Sequence, residues 1–218
     1  MHIVASNVAV TRAAGRMLAP TSLEVRSGEL LVVAGDPHDG HTALALVLSG
    51  RMRPGEGTVH LDDDRSPAAL RRAVSVVDAP GVTEPDGAVP LHDVIAEGLS
   101  LAGRRSGRRS VRTWLHERGI ADRAKDRFEH LPHPERTRVL VDLARLPRTT
   151  GALVLDSPDR HGTDPTAWHP AAAEQAQRGL AVIVLCAPHS AERLDIPVAR
   201  IGADNIPRST PDSPEGAA

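Results

Sequence analysis

The chain has 218 residues, a formal net charge of −2 and 40% hydrophobic residues. That length suits one or two domains with a buried core, and that charge gives no overall field for nucleic acid or an anionic membrane. One cysteine, Cys186, excludes an intrachain disulfide framework and fits a reducing compartment. With no signal-peptide pattern and no apolar run near the ~20 residues of a membrane span, the expectation is a cytoplasmic protein, held at the inner face of the cell membrane through a partner.

In chain order, His2–Val10 alternates weakly and predicts a strand, Leu23–Val25 a short second one, and Leu30–Ala34 a fully apolar strand of a parallel sheet. A glycine-bounded turn, Gly35–Gly40, leads into a helix that runs to Leu48 and is closed by Gly50. Strands follow at Thr58–Leu61 and Ala73–Val77. From Leu91 to Leu146 the pattern is helical, with helices expected over Leu91–Leu101, Val111–Arg118, Ile120–Phe128 and Glu135–Leu146. Strands return at Ala152–Leu155 and Leu180–Leu185, around a helix over Trp168–Arg178, and a last one at Val198–Ile201. Residues 204–218, rich in Pro, Ser, Asp and Gly, are expected to be a disordered tail. The fold class implied is α/β, a mostly parallel sheet flanked by helices, with an all-helical insertion near residues 85–148.

Residues 34–45 read AGDPHDGHTALA. A phosphate-binding loop would read Gly, four residues, Gly, Lys, Ser or Thr between an apolar strand and a helix; here Gly35, Asp36, Pro37, His38, Asp39, Gly40, His41 and Thr42 occupy that frame. Downstream, residues 151–165 read GALVLDSPDRHGTDP. Asp156 closes an apolar strand, the place from which a carboxylate, with Thr42, holds Mg²⁺ beside such a loop. The two segments are expected on neighbouring strands.

This order of features resembles the nucleotide-binding subunits of ATP-binding cassette (ABC) transporters, over roughly residues 1–202. The resemblance implies a P-loop NTPase-type fold with a small N-terminal antiparallel part and a helical subdomain, ATP and Mg²⁺ as cofactors, and two kinds of partner: a membrane permease and a second ABC-type subunit, homo- or heterodimeric. It places Walker A at Gly35–Thr42, the glutamine loop near Asp78, the signature at Leu131–Glu135, Walker B at Leu153–Pro158, the D-loop at Gly162–Asp164 and the switch histidine at His189. Ser157 and His189 then stand at the catalytic positions.

The departures are as informative. His41 replaces lysine, Asp36 and Asp39 put carboxylates beside the phosphate, and Pro37 removes a backbone N–H. Asp78 replaces glutamine, Leu131-Pro-His-Pro-Glu135 replaces the signature, and Ser157 replaces the glutamate that orients the attacking water. No aromatic residue lies in residues 9–19 to stack adenine. Losing one charge-assisted hydrogen bond costs ~1.5–3 kcal/mol, and losing a general base a factor of ~10²–10⁴. The expectation is a transporter ATP-binding subunit with impaired hydrolysis, and beside it a non-hydrolysing structural or regulatory module. Plainer readings stand next to these: a surface histidine for His41, a helix-start residue for His189 and a strand-end cap for Asp156; the basic run Arg104–Arg109 reads as a patch for phospholipid or a partner or, favoured by the net charge and the lack of interleaved aromatics, as a solvated loop.

Overall fold

The apolar runs of the sequence become the strands of a parallel sheet. The computed structural model describes residues 1–13, 15–162 and 164–206. Its elements are β1 (His2–Arg12), β2 (Gly15–Arg26), β3 (Leu30–Ala34), α1 (His41–Leu48), β4 (Glu56–Leu61), α2 (Pro67–Ala73), β5 (Val74–Val77), α3 (Leu91–Leu101), α4 (Arg108–Glu117), α5 (His133–Ala144), β6 (Ala152–Asp156), α6 (His169–Gln177), β7 (Ala181–Cys186), α7 (Pro188–Ala191) and β8 (Val198–Arg200). The parallel sheet has the order β5-β6-β7-β3-β8, and a smaller antiparallel sheet has the order β2-β1-β4. Between β5 and β6 the described elements are all helical.

Every residue of β6 and β7 is buried, as expected for central strands covered on both faces. The period-two alternation of a strand divides their side chains between two cores. Leu153, Leu155, Val182 and Val184 pack with Ile95, Phe128 and Trp168 on the helical side. Val154, Ile183 and Leu185 pack with Leu44 and Leu48 of α1 and with Ile3 and Leu23 of the antiparallel sheet. Each such side chain contributes roughly 1.5–3 kcal/mol by leaving water, so the sheet is the rigid base from which the loops at its carboxyl edge are hung.

Several expectations need correction. The second strand runs from Gly15, not from Leu23, because β2 pairs with β1 along most of its length. α2 was not expected; Ser66 caps it by accepting the Ala69 N–H, and Pro67 opens it. No α-helix spans Ile120–Phe128. That segment holds two 3-10 turns, Ala121–Arg123 and Phe128–His130. The carbonyls between them serve α3 instead, Asp126 accepting the Leu91 N–H and Ala124 that of His92. The chain also stays ordered past 203: the Asn205 side-chain amide donates to the carbonyls of Ser22, Arg200 and Ala203. Residues 207–218 of the expected tail, and Thr163 inside the D-loop match, lie outside the described residues.

Candidate functional site: the Gly35–Thr42 loop and its surroundings

The loop leaves the buried end of β3 and feeds α1. A Cβ on Gly35 would lie 2.7 Å from the tip of the Ile201 side chain, which would have to shift to admit it. Gly40 carries φ of 95° and caps α1, its carbonyl accepting the Leu44 N–H. A Cβ on Gly40 would run into the Met17 carbonyl of β2. Between them Asp36, Pro37, His38 and Asp39 form an exposed turn, with His38 at φ 82°. Asp39 folds back over it: its Oδ2 accepts the Asp36 N–H at 2.7 Å, and its own N–H donates to the Asp36 carbonyl at 2.9 Å. A backbone donor of the kind a phosphate would use is therefore engaged by the chain's own carboxylate.

Thr42 and Asp156 do meet. Thr42 Oγ1 donates to Asp156 Oδ2 at 2.6 Å, and Asp156 is fully buried. They do not sit on neighbouring strands, however: β7 lies between β3 and β6. The contact survives because α1 packs over the sheet, Leu44 sharing a core with Val154 of β6, so its first turn reaches across the intervening strand. The donor set, one hydroxyl and one carboxylate oxygen, has the hard-oxygen chemistry that Mg²⁺ takes.

Ser157 follows in the left-handed conformation, φ 49°, held by its N–H to the Leu185 carbonyl at 2.9 Å. Its Oγ donates to Asp156 Oδ1 at 2.9 Å and lies 3.3 Å from His41 Nδ1. With the serine proton directed at Asp156, the His41 contact is completed by a proton on Nδ1. His41 Nε2 is buried without a hydrogen-bond partner. His41, Ser157, Asp156 and Thr42 thus form a chain of side-chain hydrogen bonds around the carboxylate. His189 is not part of it: β7 ends at Cys186, Pro188 opens α7, and His189 lies exposed on that short helix.

Asp78, where the resemblance expects the glutamine loop, is the hub of a cluster that sequence reasoning missed. It is 7% exposed and in the left-handed conformation, φ 61°. Arg136 Nη2 of α5 donates to its Oδ1 at 2.9 Å, Arg160 Nη2 lies at 3.0 Å from the same oxygen, and His161 Nε2 at 3.3 Å from Oδ2. Glu84 Oε1 joins both arginines, at 3.7 and 3.1 Å. Burial pushes the Asp78 carboxyl up, but the His161 hydrogen bond and the charges of Arg136, Arg160 and His161 outweigh it and hold the carboxyl below its usual range. Asp78, Glu84 and His161 bring potential metal-ligand atoms within 4.8 Å of one another, yet the two guanidinium groups already occupy the carboxylates, so the cluster is an ion-pair hub. It joins three segments: the loop after β5, α5, and the 3-10 turn after β6, where Arg160 Nη1 also donates to the Asp156 carbonyl at 2.8 Å. Only Asp78 was singled out from the sequence. Arg136 and Arg160 had the signal of cations beside two expected motifs.

At the signature position α5 starts at His133, with Pro132 as its cap and Pro134 in its first turn. Glu135 in that turn pairs with Arg123 Nε at 2.9 Å. This helix start presents proline and carboxylate where an anion would need free N–H groups.

No family model matches the chain. It is 31% identical over 143 residues to the phosphonates import ATP-binding protein PhnC of Anaeromyxobacter dehalogenans, a match covering 58% of this chain and 28% of that protein. It is 32% identical over 120 residues to the taurine import ATP-binding protein TauB of Yersinia pestis, covering 52% of this chain and 42% of that one. The chain thus spans less than half the length of these two curated relatives. Among solved structures, the ADP conformation of an ATP-binding cassette of an ABC transporter superposes with a TM-score of 0.64 at 16% identity, covering 89% of this chain and 83% of that one. The chain resembles the nucleotide-binding subunits of ABC transporters in sequence and has their fold.

Proposed function

We propose that the chain is the ATP-binding subunit of an ABC-type membrane transporter whose own nucleotide site is nearly inert in hydrolysis. The observation that carries this is the Ser157 hydroxyl: it donates to Asp156 where a water-orienting carboxylate would have to accept. Replacing a general base in this way removes a factor of ~10²–10⁴. Thr42 and Asp156 would hold Mg²⁺ and the Gly35–Thr42 loop the phosphates. The Thr42–Asp156 bond must open for the ion, and Asp39 must leave the Asp36 N–H for the phosphate. A lost lysine contact alone weakens ATP by roughly 10- to 150-fold.

The permease would dock in the groove between the Asp78 loop and the helical segment. Val82 and Leu101 are 51% and 81% exposed there, and the groove of about 440 Å³ is floored by Val77, Val94, Leu140 and Leu143. A second ABC-type subunit would complete the nucleotide site, and the protein would sit at the inner face of the membrane through its permease. A second reading is a pseudo-ATPase that keeps the fold and the docking groove alone. The closed hydrogen-bond chain His41–Ser157–Asp156–Thr42 favours it, because the side chains that would meet the phosphates and the ion are already bonded to one another.

Titrating a fluorescent ATP analogue with Mg²⁺ into the purified protein separates the two. Saturable binding in the micromolar-to-millimolar range with negligible turnover is the outcome of the first reading; no binding at millimolar nucleotide leaves the second. The double variant His41→Lys, Ser157→Glu is expected to give no large rise in ATPase activity under either, since Pro132 and Pro134 still blunt the signature helix; a strong rise would overturn that account of the signature.

A further inference from the structure

The basic run in the sequence was open to reading as a solvated loop, but it continues onto a helix face. Residues 104–112 carry Arg104, Arg105, Arg108, Arg109 and Arg112 with no acidic residue among them, in a chain of net charge −2. All five arginines are exposed, while Val111, Trp114 and Leu115 of α4 are buried. Among the described residues none of the five lies within 4.0 Å of a carboxylate oxygen; the ion pairs of this region belong to Arg118, with Asp142 at 2.7 Å and Glu117 at 3.8 Å. Five exposed cations without a carboxylate partner, close together in sequence, repel one another, and an anionic surface facing them relieves that repulsion.

Two further observations point to what that surface is. Arg105, Arg109, Ser110, Thr113, Trp114 and Glu117 line a concavity of about 540 Å³, with guanidinium and hydroxyl donors and one carboxylate. Trp114 is only 5% exposed, with the Arg118 guanidinium 3.7 Å from its ring centroid, so no ring is offered for a nucleobase to stack on. Arg104 also reaches back to the Leu146 carbonyl at 3.4 Å, next to Pro147 on the rim of the Val82–Leu101 groove.

We infer that the Arg104–Arg112 face is a contact surface for anionic phospholipid headgroups. The cations attract the negative leaflet and the concavity takes a headgroup phosphate. The placement rests on the transporter reading, because a permease in the adjoining groove turns this face toward the membrane. The vesicle test needs neither nucleotide nor permease, so its failure is separable from failure of that reading.

Purified full-length protein is sedimented with vesicles of phosphatidylglycerol or of phosphatidylcholine. The expected result is co-sedimentation with the anionic vesicles alone, lost at high salt as screening shortens the field. Arg105→Glu, Arg109→Glu, Arg112→Glu together should weaken binding by more than about 100-fold, and Arg109→Gln alone by about fivefold; the single surface change guards against a misfolded triple variant. Equal sedimentation of the wild type and both variants, absence of binding to phosphatidylglycerol, or tighter binding of a single-stranded oligonucleotide than of the anionic vesicles would each overturn the inference.

Discussion

At Gly40 the loop concentrates two demands that only glycine meets. The left-handed φ of 95° disfavours any side chain, and the space a Cβ would take holds the Met17 carbonyl. Gly40→Ala is therefore expected to cost about 3 kcal/mol or more, lowering the melting temperature by roughly 6–12 °C, measurable by circular dichroism; a change within about 1 °C would mean that the loop is free of β2. Such single-residue facts were partly legible. That His41 stands where the family has lysine, and Ser157 where it has glutamate, is what the resemblance of two segments implies. The bond from Ser157 to Asp156 is not, because it depends on a left-handed Ser157 that no residue preference announces. The surroundings of His189 were not legible either. The Ala187-Pro188 step turns the chain into α7 immediately after β7, and the histidine rides outward.

Among elements, the apolar strands and α3 were legible because period and length agree, and α3 matches its expected span from Leu91 to Leu101. The order of the strands was not, and β7 came to lie between β3 and β6. Strand order is decided by which apolar faces find cover, a long-range matter that local pattern does not encode. Asp159 shows how the carboxyl edge is then stitched. Its Oδ2 accepts the Ala187 N–H at 2.9 Å and the Ser190 Oγ–H at 2.8 Å, tying the turn after β6 to the start of α7. Asp159→Ala leaves both donors without their partner and should cost about 2–3 kcal/mol. Cys186 reports on this. It is fully buried, and burial, with a smaller push from the Asp159 charge, raises its thiol to about 12. Native protein should resist alkylation at neutral pH, and Asp159→Ala should speed labelling about 30- to 150-fold by more frequent opening. An unchanged rate would show that Asp159 does not hold the edge.

Across the whole molecule, the Asp78 hub ties the helical segment to the carboxyl edge of a sheet that already divides its side chains between both cores. Its pairing was illegible because the partners are far apart in sequence: Arg136 lies 58 residues from Asp78. Arg136 itself is 5% exposed, so removing the carboxylate strands a buried cation. Asp78→Asn is expected to destabilise by about 3 kcal/mol at neutral pH. The sign of the pH dependence follows from the depressed folded value. Below its ordinary 3.8 the unfolded chain takes up a proton that the folded one refuses, so the Asp78 contribution is complete above 3.8 and is lost as pH falls through the lower folded value. His133, also depressed, by burial first and then by the neighbouring His161 and Arg136 charges, begins its own loss below its ordinary 6.5. The informative quantity is therefore the difference between wild type and Asp78→Asn in denaturant melts at each pH. That gap should stay constant from neutral pH down to about 4 and close below it; a gap that closes near pH 6 instead would transfer the linkage to the histidines and leave Asp78 as a bystander.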